Sequence, residues 1–151
     1  MAQAGDIANT NFIVRSFQVD ANQSIDRGDV IAIVEGKARK ATSNDDGPFA
    51  IAVENVTTTS SNDVKYVRAC IAGLVYVIAD GTIRPFRPVK VGSPGKVIED
   101  TRVIISNEYS QQEIQELQNT FWKRVGVYIG KENEHLTVSN AYQGEVILIK
   151  L

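Results

Sequence analysis

The alternation of apolar and polar positions predicts a chain built mainly of short β-strands. Runs rich in Val, Ile, Ala and Tyr recur along the sequence, and each is bounded by a turn containing Gly, Asp, Asn or Pro. The predicted strands cover residues 12–19, 30–34, 49–53, 64–78, 96–98 and 102–105, with a further short strand after the tight turn at 35–37. Such frequent strands and turns are typical of a small barrel or sandwich.

Two segments depart from a plain strand pattern. Residues 64–78 are too long for one strand, and Gly73 within them predicts a bend or bulge. Residues 83–91 contain Pro85 and Pro88, and proline cannot donate a backbone hydrogen bond to a neighbouring strand. The segment is therefore expected to be an edge strand or a connector.

One segment has the periodicity of a helix. Its apolar residues recur at three- and four-residue spacing: Ile114, Leu117, Phe121 and Val125. Ser110 and Glu113 are placed as a capping box, so a helix is expected over about 111–125. A helix of this length is marginal alone in water, and we therefore expect its apolar stripe to pack on the sheet.

The order of elements occurs twice. In the first half, SIDRGDVIAIV, KARKAT, PFAIAVENV and VKYVRACIAGLVYV follow one another; in the second, TIRPFRPVKV, GKVIED, KRVGVYIGKE and AYQGEVILIKL do so, with the helix inserted. The match rests on pattern, which β-rich chains also produce by chance. It predicts two pseudo-repeated halves that together close one small β-barrel or sandwich.

Size and charge limit the classes of function. With 151 residues and 16.6 kDa, the chain fits one domain, assigned to residues 11–151, after a small polar segment at 1–10 that is expected to be a flexible arm. A net charge of −2 argues against nucleic-acid binding. No run of 18 apolar residues and no signal peptide are present, so we expect no membrane association and a cytosol-like compartment.

Reactive side chains are few. Cys70 is the one cysteine and His135 the one histidine, so we expect no enzyme, with no catalytic, cofactor-binding or metal-binding residues. The acidic pairs beside turns are interpreted as solvated carboxylates: Asp45 with Asp46, Glu99 with Asp100, and Glu132 with Glu134. Two alternatives stay open, namely a hydrolase using His135 and a carbohydrate- or small-ligand-binding barrel with a site lined by Trp122, Tyr128 and Tyr142.

Several phrases resemble the head-decoration, or capsid-cementing, β-barrel proteins of tailed viruses. The resemblance rests on Gly28-Asp29-Val30, Lys40-Ala41-Thr42 and the strand 49–54, followed by LVYVIADGTIRPFRPVKVGSPGKVI and RVGVYIGKE. It spans about residues 17–151. The helix, and a lower content of Gly and Ala, depart from the family pattern.

The resemblance implies a structural role. A protein of this kind binds the outside of a capsid shell, cements neighbouring subunits of the major capsid protein, and forms a homotrimer at least on the shell. It is located on the virion after synthesis in the host cytoplasm and needs no cofactor. Beside the expected arm, Phe12, Ile13, Val14 and Arg15 are the candidate partner-binding residues, with strand addition to a capsid subunit as the expected mode.

Overall fold

The computed structural model describes residues 2–8, 11–101, 110–131 and 138–151, apart from the side chains of Glu113 and Leu117. The first half contains β1 (Ile13–Val19), β2 (Ser24–Ile25), β3 (Val30–Val34), β4 (Lys37–Lys40), β5 (Phe49–Ala52), β6 (Val56–Thr57) and β7 (Tyr66–Ala72). The second contains β8 (Leu74–Ile78), β9 (Pro88–Val91), β10 (Val97–Glu99), α1 (Gln111–Lys123), β11 (Arg124–Lys131) and β12 (Val146–Lys150). The described residues thus confirm the mainly β class with one helix. The strand predicted at 102–105 lies outside the described residues.

The first half forms a closed five-stranded barrel in the order β1-β4-β3-β5-β7. The barrel closes because β1 pairs with β7 along most of its length and with β4, in parallel, at Gln18 and Val19. Small residues on one face of the strands, including Ala38, Ala50 and Ala69, are fully buried in a cluster of their own. Small side chains suit the narrow interior of a five-stranded barrel.

The second half forms a five-stranded sheet in the order β10-β9-β11-β12-β8. A parallel bridge between Ala79 and Val97 joins its two outer strands. Strand β9 pairs on both sides, with β10 and β11, so the expectation of an edge strand or connector is wrong for residues 88–91, whereas residues 84–87 before it form a connector. The reason is that Pro88 is the first residue of β9, where a missing N–H is tolerated.

Gly73 separates the two sheet systems. Its φ of +123° is a conformation that glycine adopts readily, and it ends β7 of the barrel immediately before β8 of the second sheet. The bend predicted at this glycine is confirmed. It marks the junction of the two halves.

The strand ladders of the two halves repeat each other. Strands β1 and β7 pair from Val14 opposite Cys70, and strands β8 and β12 pair from Leu74 opposite Lys150. Each ladder continues in register for four further pairs. The first strand of each half is also joined in parallel to a later strand of the same half. In the barrel β1 pairs with β4, and in the sheet Ala79, which directly follows β8, pairs with Val97 of β10.

The same hydrogen bonds recur in the turns. The Gly28 N–H donates to the Ala52 carbonyl at 2.8 Å, and the Phe86 N–H donates to the Tyr128 carbonyl at 2.9 Å. Gly28 and Phe86 both have positive φ values, 92° and 61°. The pseudo-repeat is therefore present in the backbone, with β1, β3, β4, β5 and β7 equivalent to β8, β9, β10, β11 and β12. The two halves do not jointly close one barrel, because each ladder of the described residues pairs strands of the same half.

The halves are held together by a shared core and by one turn. Buried residues of both halves pack in one cluster, among them Val30, Ile51 and Tyr128. The turn after β9 also reaches the barrel, where the Gly95 carbonyl accepts the Val30 N–H and the Gly95 N–H donates to the Ala41 carbonyl, both at 2.9 Å. These contacts place the second sheet against the outer face of the barrel.

Helix α1 does not pack on the sheet as expected. Ile114 and Phe121 are 44% and 59% exposed, so docking of the predicted stripe is wrong for both side chains. The helix ends at Lys123, two residues early, because Arg124 begins β11. Its C-terminal turn holds it in place, since the Trp122 carbonyl accepts the Gly47 N–H at 2.7 Å. The Glu113 side chain of the expected capping box, and that of Leu117, lie outside the described part.

Residues 5–8 lie along the edge of β8 that faces away from β12. The Tyr76 carbonyl accepts the Gly5 N–H at 2.7 Å, the Tyr76 N–H donates to the Asp6 carbonyl at 3.0 Å, and the Leu74 carbonyl accepts the Ala8 N–H at 2.9 Å. An ion pair between Asp6 and Arg27 adds a contact with the barrel. This part of the segment expected to be an arm is thus hydrogen-bonded as an added strand, and the mobility of residues 1–10 stays a prediction.

Candidate functional site

The four residues proposed from the sequence for partner binding lie together at the start of β1. Phe12 and Ile13 are 46% and 43% exposed, Arg15 is exposed, and Val14 is half-buried. Ile13 pairs with Ala72 of β7, and a register shift follows between Ile13 and Val14. Contiguous exposed apolar side chains are a feature of protein contact surfaces, and partner binding by these residues stays a prediction.

The edge of β1 that faces away from β7 is largely open. Strand β4 covers it only at Gln18 and Val19, so among the described residues no ladder pairs this edge from Ile13 to Phe17. An unpaired edge presents backbone N–H and C=O groups that another strand can bind. The sequence pattern predicted the strand; its open edge follows from how the barrel closes.

Arg15 covers part of this edge. Its Nη1 donates a hydrogen bond to the Val14 carbonyl oxygen at 3.1 Å, and the described residues give Arg15 no acidic partner. Natural sheets commonly carry charged side chains at an exposed edge, because the charge discourages unspecific pairing with other strands. Arg15 is such a charge.

A second apolar feature lies near the end of α1. A recess of about 270 Å³ is lined in part by Pro48, Phe49, Ile71, Phe121 and Trp122. Trp122 is 63% exposed, and Ile71 precedes Ala72, the partner of Ile13 in the ladder. Ile71 thus places the recess beside the end of β7 that pairs with the start of β1.

The ligand-binding alternative loses most of its expected site. Tyr128 is fully buried in the core, where its hydroxyl donates to the Ser139 carbonyl at 2.8 Å. Tyr142 is exposed, with the Lys131 ammonium 5.3 Å from its ring centre, and does not line the recess that holds Trp122. Only one of the three aromatic residues proposed for a ligand site is therefore in the recess.

The carboxylates expected to be solvated are mostly engaged in ion pairs. Asp45 is buried and paired with Arg39, and Asp100 is buried with a carboxylate oxygen 3.2 Å from Nε of Arg124. Among the members of these pairs that the structure describes, Asp46 alone has a well-exposed side chain, 3.0 Å from the Lys123 ammonium. The solvated interpretation is wrong for Asp45, Glu99 and Asp100, because each side chain is enclosed and paired with an arginine, which sequence position alone does not reveal.

The other reactive groups considered from the sequence are Cys70, His135, Glu132 and Glu134. Burial raises the pKa of the Cys70 thiol, which donates to the Ala72 carbonyl at 3.2 Å. No group of three or more metal-ligating side chains occurs in the described residues. His135, Glu132 and Glu134 lie outside them. In the same part of the chain, no helix has the length and apolar character to cross a membrane.

Comparisons with known proteins bear on the fold. No protein-family model and no curated protein matches the sequence. Among solved structures, a chain from the capsid of Myoviridae phage XM1 has a similar structure, with a TM-score of 0.59 over 99% of this chain and 89% of that chain. The two sequences are 14% identical, so the likeness establishes a shared fold.

Proposed function

We propose that this protein is a structural component of a tailed-virus capsid. One observation carries the proposal: nearly the whole chain shares its fold with a chain from the capsid of phage XM1. The sequence resemblance to capsid-cementing proteins points in the same direction and covers most of the chain. A role in structure also suits a molecule whose carboxylates Asp45 and Asp100 are held in internal ion pairs.

The specific role proposed is cementing. The protein binds the outside of the shell, contacts the major capsid protein, and holds neighbouring subunits together, as a homotrimer at least on the shell. A shell repeats the same site many times, so contacts that are weak individually add up to resistance against internal pressure. The proposed location is the virion surface, after synthesis in the host cytoplasm.

The proposed contact is formed by Phe12, Ile13, Val14 and Arg15. Two exposed apolar side chains supply area to bury, and the open edge of β1 supplies main-chain hydrogen-bonding groups. Because β1 is already ordered by its pairing with β7, the cost of ordering on binding falls on the partner segment. Strand addition needs no free arm on this side of the interface.

Co-sedimentation with expanded shells of the source virus tests the proposal. We expect saturation at a stoichiometry set by the shell lattice, and shells that then resist heating. Phe12→Ser should weaken binding, whereas Phe86→Ser, which changes a still more exposed aromatic residue on the second half, should not. Failure of the unchanged protein to bind would remove the cementing role. Point variants are preferable to deleting residues 1–14, because that deletion also removes the segment on β8 and part of the β1 ladder.

A further inference from the structure

Strands β1 and β8 are equivalent in the two halves, but only the edge of β8 is covered by another segment of the described chain. From the repeated ladders, Val14, Arg15 and Ser16 of β1 are equivalent to Leu74, Val75 and Tyr76 of β8. The β8 edge is covered by residues 5–8, which run antiparallel to it, with Ile7 opposite Val75. The β1 edge has no such cover in the described residues.

The hydrogen-bonding groups on the two edges correspond one to one. On β8 they are the Leu74 carbonyl and the N–H and carbonyl of Tyr76. The same positions on β1 are the Val14 carbonyl and the N–H and carbonyl of Ser16. Where Leu74 accepts the Ala8 N–H at 2.9 Å, Val14 accepts the Arg15 guanidinium at 3.1 Å. The side chain of Arg15 therefore occupies the place of a strand donor.

The residue at the centre of the open edge selects the partner. In the β8 arrangement, the bonds made by Leu74 and Tyr76 flank the pair formed by Val75 and Ile7, and side chains at such a pair approach closely. A residue added opposite Arg15 would therefore lie beside its guanidinium. Pairing of two copies of β1 in this register would set Arg15 against Arg15, and like charges directly opposite each other are destabilising.

We infer that the open edge of β1 binds an antiparallel extended segment of the capsid subunit that carries Asp or Glu opposite Arg15. The inference rests on the proposed function and adds the direction, the register and the charge of the partner strand. On binding, the Arg15 guanidinium transfers from the Val14 carbonyl to the partner carboxylate, and a backbone N–H of the partner takes its place on the carbonyl. The internal pairing on β8 supplies the template for this geometry.

The first test removes one backbone donor. Ser16→Pro deletes the N–H that points to the open edge and leaves unchanged the backbone groups of β1 that face β7. Proline is tolerated at such an edge position. Ser16→Ala is the matched control, since it keeps the N–H. We expect Ser16→Pro to bind shells about tenfold more weakly than Ser16→Ala. Equal binding by the two variants would overturn the inference while leaving the cementing role intact.

The second test reverses the charge and covers the case in which Ser16→Pro does not fold. Arg15→Glu should abolish most shell binding, and Arg15→Lys, which keeps the positive charge, should retain most of it. Lys150→Glu changes the net charge by the same amount at an exposed position on the second sheet and should bind normally. Normal binding by Arg15→Glu would contradict an acidic partner.

Hydrogen exchange of the free protein checks the edge without any shell. The Ser16 amide should exchange much faster than that of Phe17, which is paired with Val67. Strong protection of Ser16 in the free protein would show that the edge is already covered and would overturn the inference. If the edge is open but the unchanged protein binds no shells, both the cementing role and the proposed partner fail.

Discussion

Gly126 lies so close to Lys150 that a Cβ at position 126 would be 2.3 Å from the Lys150 carbonyl oxygen. The contact is between backbones of neighbouring strands β11 and β12, so neither group can turn aside. The equivalent strand of the barrel, β5, carries alanine residues instead. A small residue therefore recurs in this strand of both halves, and the space is tightest at Gly126 in the second half.

Gly126→Ala should lower the free energy of unfolding by about 2 kcal/mol or more, because the added methyl group forces the two strands apart. Denaturant unfolding measures the change. Gly81→Ala is the control, since the nearest atom to a Cβ there is on Ile98 at 4.0 Å, and its effect should stay within about 0.5 kcal/mol. Similar stability of the two variants would refute the packing argument.

Asp100 and Arg124 form a buried contact between the end of β10 and the start of β11. The Asp100 side chain is 1% exposed, and Arg124 also lies over the Phe121 ring, 5.0 Å from its centre. Arg124→Met should cost about 3 kcal/mol of unfolding free energy, because the buried carboxylate loses its contact with the Arg124 guanidinium. Arg68→Met, which breaks an exposed pair with Glu54, should cost less than about 1 kcal/mol. A small effect of Arg124→Met in thermal or denaturant unfolding would contradict this role.

The ionisation of Glu99 makes the free energy of unfolding depend on pH in the acid range. Hydrogen bonds from the Arg84 guanidinium lower the pKa of Glu99 below its ordinary value of 4.5, against the opposing effect of burial. A carboxylate with a lowered pKa stabilises the fold above its unfolded pKa and loses that contribution as pH falls through the folded value. The stability advantage of the unchanged protein over Glu99→Gln should therefore shrink below about pH 4.5. Unfolding curves at several acid pH values test it, and a constant difference would count against the ion pair.

The ionisation of Tyr128 makes the free energy of unfolding fall as pH rises in the alkaline range. Burial, with a smaller contribution from the charge of Glu145, raises the pKa of Tyr128 to about 12 from 10.0. A raised pKa gives stability that is complete below the unfolded pKa and is lost as pH rises towards the folded value. Tyr128→Phe should cost about 1 kcal/mol near neutral pH, because the Ser139 carbonyl loses its donor. Between about pH 10 and 12 that deficit should narrow, as denaturant unfolding would show; a deficit independent of pH would place the tyrosine outside the core.

Local features of the fold were predictable because they depend on neighbouring residues. The turn between β3 and β4 follows from Glu35 and Gly36, which both adopt positive φ, and the division of residues 64–78 follows from Gly73. The helix was predictable from its spacing, but its relation to the sheet was not. A stripe of apolar residues shows that a helix has an apolar face and says nothing about whether another element covers it.

The candidate site was predictable only in part. Phe12, Ile13, Val14 and Arg15 stand out as an apolar run with one cation beside a polar segment. That β1 keeps an open edge depends on β4 meeting it only at Gln18 and Val19, and no local pattern encodes that register. The cover of the equivalent β8 edge by residues 5–8 was missed because Gly5 and Ala8 carry almost no side-chain signal.

The sequence by itself determined the mainly β class, the order of strands and turns, and the existence of two similar halves, since alternation, turn residues and internal repetition are properties of adjacent positions. Tertiary structure decided that each half pairs its own strands, that Asp45 and Asp100 are buried, and that α1 leaves Phe121 and Trp122 in solvent. These outcomes depend on contacts between residues far apart in the chain, whose free energy is settled only when the whole core packs.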